Sequence, residues 1–185
     1  MEIDSARAAR VRLLALDVDG VLTDNGIWIG PVAGERVELK RFDIQDGLGL
    51  RLLRTAGIPV LWLSGRYSEA TAMRAEELQV DELLQVGGPE KLDALGQVLS
   101  RRGLEWDEVA YVGDDLADLQ VMRRVGLPIA VANAVAEIKA VAVAVTSASG
   151  GHGAVREIVD ALLEARGVWP DMLERYFTER ARNDD

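Results

Sequence analysis

The stretch Val11-Arg12-Leu13-Leu14-Ala15-Leu16-Asp17-Val18-Asp19-Gly20-Val21-Leu22-Thr23-Asp24 constrains the fold more than any other part of the chain. A short apolar run ends abruptly in carboxylates, a glycine and a threonine. A continuous apolar run of this length reads as a strand buried on both faces, which is the habit of parallel sheets. Asp17 and Asp19 are two residues apart, so an extended backbone would project both to one side. Two such acids repel each other unless a cation, a shared proton or hydrogen bonds stabilise them. An ordinary polar turn would leave the same trace, because Asp and Gly are turn residues. The rest of the chain decides between the two.

The pattern recurs. Ile58 to Leu63 is a second apolar run and ends in Ser64-Gly65-Arg66. Val109 to Val112 ends in Gly113-Asp114-Asp115-Leu116-Ala117-Asp118. Shorter strands are expected within Val80 to Val86, Leu127 to Ala132 and Ala142 to Val145. Helical periodicity fills the intervals: Leu48 to Thr55, Ser68 to Leu78, Pro89 to Arg102, a segment reaching Val125, Ala134 to Ala140, and Ala154 to Arg166. Asp46 is a candidate N-cap and Gly57 a candidate C-cap of the first of these. Strands alternating with helices predict an α/β fold, a Rossmann-like, doubly wound and mainly parallel sheet with helices on both faces. Ligands bind such sheets beyond the carboxyl ends of the strands. Asp17 and Asp19, Ser64 and Arg66, and Asp114 and Asp115 should therefore converge at one edge.

One segment breaks the alternation. Around residues 26–40, Ile27 and Ile29 alternate with Trp28, and Val37 and Leu39 alternate with Glu38 and Lys40. Gly30, Pro31 and Gly34 lie between, which predicts a β-hairpin insertion with a slightly long turn over Pro31 to Gly34. An isolated hairpin is marginal in water, so this one should pack on its own domain and on a neighbouring subunit. Residues 1–168 read as one domain. Residues 169–185 read as a helical tail, with Met172, Leu173, Tyr176 and Phe177 at helical spacing and a charged end from Arg180 to Asp185 expected to fray.

The chemistry is bounded by what is missing. A formal charge of -10 argues against nucleic acid or an anionic membrane as partner. With no cysteine, disulfides and thiolate metal sites are excluded. Met1 to Arg12 lacks the apolar core of a signal peptide, and no apolar run reaches membrane-spanning length, so a cytoplasmic location is expected. The dinucleotide glycine pattern, the Walker phosphate loop and a serine nucleophile elbow are all absent. Strand-end carboxylates without His or Cys suit a hard cation, and Mg²⁺ is the expected one. Beside it, Asp17 can attack phosphorus and form an aspartyl-phosphate. Asp19 can protonate the leaving alkoxide and then deprotonate water. Ser64 can donate to a phosphoryl oxygen, and Lys91 can neutralise developing charge. Lys91 sits in the first turn of a helix, against the macrodipole, which favours a functional reason for it.

Taken together, Asp17-Val-Asp19-Gly-Val-Leu-Thr-Asp24, Ser64-Gly-Arg66, Lys91 and Gly113-Asp-Asp-Leu-Ala-Asp118 resemble the four ordered motifs of haloacid-dehalogenase-like phosphatases. The hairpin in place of a cap domain, Phe42-Asp-Ile-Gln-Asp-Gly47 and Gly150-Gly-His-Gly-Ala-Val-Arg-Glu157 resemble the capless 3-deoxy-D-manno-octulosonate 8-phosphate phosphatases. The resemblance implies a Mg²⁺-dependent phosphomonoesterase for an eight- or nine-carbon sugar acid phosphate, working as a homotetramer. It implies that Asp17, the Asp19 backbone carbonyl and Asp114 hold the metal. It implies a substrate site lined by Asp19, Asp43, Ile44, Gln45, Asp46, Gly47, Arg51, Arg66, Arg74 and Lys91. Tyr67 and His152 depart from the usual pattern. Two other readings compete: a non-catalytic phosphoacceptor switch, which would have no use for an acid/base at Asp19, and a silent partner domain, which would have no use for an intact Asp17, Asp19, Lys91 and Asp114.

Overall fold

The computed structural model describes residues 1–183. Six parallel strands form one sheet: β1 (Leu13–Leu16), β4 (Val60–Ser64), β5 (Glu82–Gln85), β6 (Val109–Gly113), β7 (Leu127–Ala130) and β8 (Ala144–Val145). Two further strands, β2 (Trp28–Val32) and β3 (Glu35–Leu39), form a separate antiparallel hairpin. The large sheet runs β5-β4-β1-β6-β7-β8, so the strand order reverses beside β1. β1, β4, β6 and β7 are buried throughout, which is why their sequences are apolar without alternation.

Helices occupy the crossovers between the parallel strands. α2 (Ile44–Thr55) and α3 (Glu69–Glu77) carry the chain outward from β1 to β5. α4 (Lys91–Arg102) crosses back, and α5 (Leu119–Met122) and α6 (Ala136–Lys139) continue to β8. α7 (Ala154–Ala165) returns to pack along α2, with α1 (Ser5–Arg10) and α8 (Trp169–Asn183) beside it. The short α1 has only Ala8 buried and so leaves little periodicity to read in the sequence. α8 buries Met172, and helix extends into the charged end expected to fray. Positions 184 and 185 of that end lie outside the described residues.

Two local expectations are corrected. The N-cap of α2 is Asp43, whose side chain accepts from the Gln45 N–H at 2.7 Å. Asp46 lies inside the first turn, buried, and its Oδ1 accepts the Arg156 N–H at 2.8 Å. It satisfies the open N-terminus of α7, where Gly153 supplies no capping side chain. Gly57 follows the Ala56 cap with φ +80°, the left-handed residue that ends α2. The hairpin turn is also tighter than expected. Val32 pairs with Glu35, leaving only Ala33 and Gly34 between the strands, both at positive φ. That is the two-residue turn whose twist matches a hairpin, and Gly30 and Pro31 belong to the strand.

The base of the hairpin is tied to the sheet. Thr23 bridges Phe42, and the Phe42 ring stacks on buried Trp62 of β4 with centroids 6.2 Å apart. The insertion therefore leaves and re-enters the domain at the carboxyl edge, beside the ends of β1 and β4.

The Asp46 cap makes a prediction with a pH signature. Asp46→Ala should lose about 1–2 kcal/mol by denaturant unfolding, while Asp46→Asn, which keeps the acceptor, should lose little. Burial pushes the Asp46 carboxyl up to about 6 from 3.8. The charged form is thus disfavoured in the folded state, so wild type should gain stability relative to Asp46→Asn as the pH falls through that window. A pH-independent difference would contradict this.

Candidate active site

The acids expected to converge do so around one lysine. Lys91, the first residue of α4, is 2% exposed. Its Nζ lies 2.6 Å from Asp17 Oδ1 and 2.8 Å from Asp118 Oδ1. Asp17 follows β1, and its N–H donates to Val112 O of β6 at 2.9 Å. Asp118 also accepts from the Tyr111 hydroxyl at 2.7 Å, and its Oδ2 accepts from the Asp114 N–H at 3.0 Å. A carboxylate that could equally have been a solvated helix acid is thus the buried brace of the Asp114 loop. Asp17, Asp114 and Asp118 each offer an oxygen within 4.8 Å of the others.

Three buried carboxylates against one ammonium leave the cluster short of positive charge. Burial, reinforced by Asp118, pushes the Asp17 carboxyl above the usual range even though Lys91 opposes the shift. Burial, then Asp17 and Asp118, push Asp114 up as well. Burial alone would lower Lys91, but Asp17 and Asp118 hold it above its ordinary value. Asp114 Oδ1 is buried with no hydrogen-bond partner. Both oxygens of Asp118 are committed, so Asp17 and Asp114 are the residues that would hold a cation, with Asp118 orienting them. Among the described residues, no N–H donates to the Asp19 carbonyl, which suits the expectation that it is a third ligand. An all-oxygen set of this kind fits Mg²⁺.

The loops around this cluster fit by close backbone approach. Gly20 has φ +91°, and a Cβ there would fall 2.0 Å from Asp114 Oδ2. Its N–H donates to Thr23 Oγ1 at 3.2 Å, so Thr23 holds the loop after β1. A Cβ on Gly150 would fall 1.8 Å from Gly20 O. Asn133, after β7, donates to Gly20 O at 2.9 Å and accepts from the Gly150 N–H at 2.6 Å. It joins three strand-end loops, a role that no motif in the sequence announced.

The turn after β1 changes the expected relation between Asp17 and Asp19. The chain leaves extended geometry at Val18, so the two carboxylates do not share one set of partners. Asp19 Oδ1 lies 2.6 Å from Lys40 Nζ, outside hydrogen-bond alignment. Ser64 closes the turn after β4, donating to Arg66 O at 2.8 Å. That turn abuts the cluster, because a Cβ on Gly65 would touch Lys91 Cε at 3.5 Å. Arg66 is held bidentately by Glu38 of β3, at 3.0 and 2.6 Å. Glu38 also accepts from the Ser68 hydroxyl at 2.7 Å.

The remaining substrate-site candidates lie along α2 and α3. Ile44, Gly47, Arg51 and Arg74 line a groove of about 970 Å³ that includes neither Asp17 nor Lys91. Arg74 pairs with Glu77 at 2.8 Å and reaches Asp43 O at 3.5 Å. Asp43 and Asp46 are occupied in capping, and Gln45 is exposed. Tyr67 is exposed, and His152 Nδ1 lies 3.3 Å from Arg41, which also donates to Gly151 O.

A doubly wound sheet with a lysine-braced set of strand-end aspartates at its order reversal defines a haloacid dehalogenase-like hydrolase. The model of that family matches residues 84–158. The 3-deoxy-D-manno-octulosonate 8-phosphate phosphatase KdsC of Escherichia coli K12 is 44% identical over 162 residues, covering 88% of this chain and 84% of that protein. The corresponding Yersinia pestis protein is 42% identical over 160 residues, covering 86% and 83%. The crystal structure of the Moraxella catarrhalis phosphatase with magnesium, phosphate and KDO superposes with a TM-score of 0.87 at 36% identity, covering 93% of this chain and 97% of that one. The chain belongs to the family of 3-deoxy-D-manno-octulosonate 8-phosphate phosphatases.

Neutralising Asp114 should have two opposite effects. Asp114→Asn removes one of the three buried carboxylates from the metal-free cluster. It should raise the metal-free Tm at pH 8 by roughly 2–4 °C, about 1 kcal/mol. Millimolar Mg²⁺ should raise the Tm of wild type by mass action and leave the variant unmoved. Equal Mg²⁺ shifts in both would contradict the assignment.

Proposed function

We propose that this protein is a Mg²⁺-dependent phosphomonoesterase that hydrolyses 3-deoxy-D-manno-octulosonate 8-phosphate to the free sugar acid and inorganic phosphate. The observation that carries the proposal is the buried Asp17–Lys91–Asp118 contact at the reversal of strand order, with Asp114 beside it. Similarity to named phosphatases over most of the chain supports the substrate.

The roles follow from position. The Asp17 carboxylate attacks phosphorus, the bond from phosphorus to the sugar oxygen breaks, and Asp19 gives its proton to that oxygen. Water then attacks the aspartyl-phosphate at phosphorus, Asp19 takes a proton from it, and Asp17 and phosphate are regenerated. Lys91 keeps Asp17 oriented and offsets negative charge in the transition state. Mg²⁺, when bound by Asp17, Asp114 and the Asp19 carbonyl, supplies the positive charge that lets an anionic nucleophile meet an anionic phosphoryl group. Ser64 and Arg66 are the candidates for the phosphoryl oxygens and the sugar acid. Asp43 to Gly47, Arg51 and Arg74 are the candidates for the rim.

A cytoplasmic homotetramer completes the proposal. The hairpin supports the assembly: Trp28 is 71% exposed and Leu39 59%, with Ile29 and Val32 also open. Apolar residues gathered on a protruding hairpin mark an association surface. No helix among the described residues is long and apolar enough to cross a membrane.

Phosphate release with Mg²⁺ tests the reading against a panel of keto-sugar acid phosphates. The eight-carbon 8-phosphate should be turned over fastest, and Asp17→Asn should lose at least about 10³-fold. Sedimentation should give a tetramer that Trp28→Ser with Leu39→Ser dissociates. Activity in Asp17→Asn, or only monomers in wild type, would contradict the corresponding part.

A further inference from the structure

The hairpin carries two of its charges, Glu38 and Lys40, inward. In β3 and the residue after it, Val37 and Leu39 alternate with Glu38 and Lys40. Leu39 is exposed, yet the side chain of Lys40 is 0% exposed and that of Glu38 16%. Desolvating an ammonium costs several kcal/mol unless an opposite charge and hydrogen bonds meet it. An apolar side chain would fill the same space without that cost, so the partners of Lys40 indicate what the charge is for.

Lys40 Nζ meets three groups from three separate segments. It donates to Thr71 Oγ1 of α3 at 3.1 Å. It lies 2.6 Å from Asp19 Oδ1 and 3.9 Å from Glu38 Oε1. Thr71 is fully buried and fixed at the start of α3, so the ammonium is anchored on a rigid element. Asp19 Oδ1 is buried, and the Asp19 side chain is 20% exposed, so its accessible surface lies on its other atoms. One carboxylate oxygen thus faces the Lys40 ammonium in a close ionic contact without an aligned hydrogen bond, and the other is left open.

We propose that Lys40 is a positioning residue that fixes the Asp19 carboxylate for proton transfer to and from the scissile oxygen. The proposal rests on the reading of Asp19 as acid/base. It makes the hairpin part of the catalytic apparatus of its own subunit, in addition to an association surface. Among its contacts Lys40 meets the Asp19 carboxylate and neither Asp17, Asp114 nor Ser64. Its loss should therefore disturb the proton transfer step and spare the binding of the phosphoryl group.

The test is a kcat against KM split with two leaving groups. For the sugar phosphate, a poor leaving group, Lys40→Met should lower kcat by about 10- to 100-fold, within the range of acid/base effects, with KM changed less than about threefold. For p-nitrophenyl phosphate, whose phenolate leaves without a proton, the loss should be several-fold smaller. Lys40→Arg should recover part of the lost rate. Adding Lys40→Met to Asp19→Asn should cost nothing further, because the two act as one unit. If Lys40→Met fails to fold, Thr71→Val should show the same leaving-group pattern at smaller amplitude. Equal losses on both substrates, or a raised KM with kcat intact, would overturn the role of Lys40. An inactive Asp19→Asn beside a Lys40→Met of wild-type kcat would overturn it too, while leaving the phosphatase reading standing. Full activity of Asp19→Asn on the sugar phosphate would instead overturn the acid/base reading itself, and the role of Lys40 with it.

Discussion

The contact on which the site depends is a buried lysine shared by two aspartates. Lys91 holds Asp17 of the β1 end and Asp118 of the β6 loop at hydrogen-bond distance. Removing Lys91 would leave two buried carboxylates uncompensated, which is among the costlier single changes a domain can suffer. The parallel sheet makes the contact possible. β1 pairs with β4 on one side and β6 on the other, so residues far apart in sequence arrive at one edge in register. The contact is nevertheless electrostatically incomplete. With Asp114 included, the carboxylates outnumber the ammonium, and burial first, then the neighbouring acids, push the carboxyls of Asp17 and Asp114 upward. A divalent cation held by Asp17 and Asp114 would offset that excess of negative charge.

The hairpin answers a different constraint. A capless domain leaves its strand ends open on one side. Here the insertion between β1 and α2 returns beside those ends, locked by the Thr23–Phe42 bridge and the Phe42–Trp62 stack. Its polarity is the inverse of a strand that packs on its own core. Glu38 and Lys40 reach the loops after β4 and β1, and Trp28 and Leu39 face outward. One insertion therefore sends charged side chains toward the site and leaves apolar ones exposed.

Much of this was legible in the sequence, and the part that was not has physical reasons. Apolar runs ending in polar or charged residues identified β1, β4 and β6, because strands buried on both faces have no polar positions to hide. Asp17 and Asp114 could be brought together from topology, and Lys91 joined them through its place at a helix start and the resemblance of the ordered motifs. The turn at Val18 could not, because it depends on Gly20 accepting a positive φ against Asp114. Asp46 was misread as a cap of its own helix because its true partner, the start of α7, lies 110 residues away. Lys40 and Glu38 were hidden by alternation itself. A period of two separates two faces of a strand and does not say which faces inward. Asn133 joins backbone atoms from distant loops and leaves no pattern.

The central claim is that Asp17 becomes phosphorylated. Acid quench of the enzyme during turnover, borohydride reduction of the acyl-phosphate and peptide mass spectrometry would locate the modified residue. The account predicts conversion of Asp17 to homoserine, dependent on substrate and Mg²⁺ and absent without either. Modification at another carboxylate, or turnover with no trapped Asp17 under conditions where a phosphoenzyme accumulates, would contradict it.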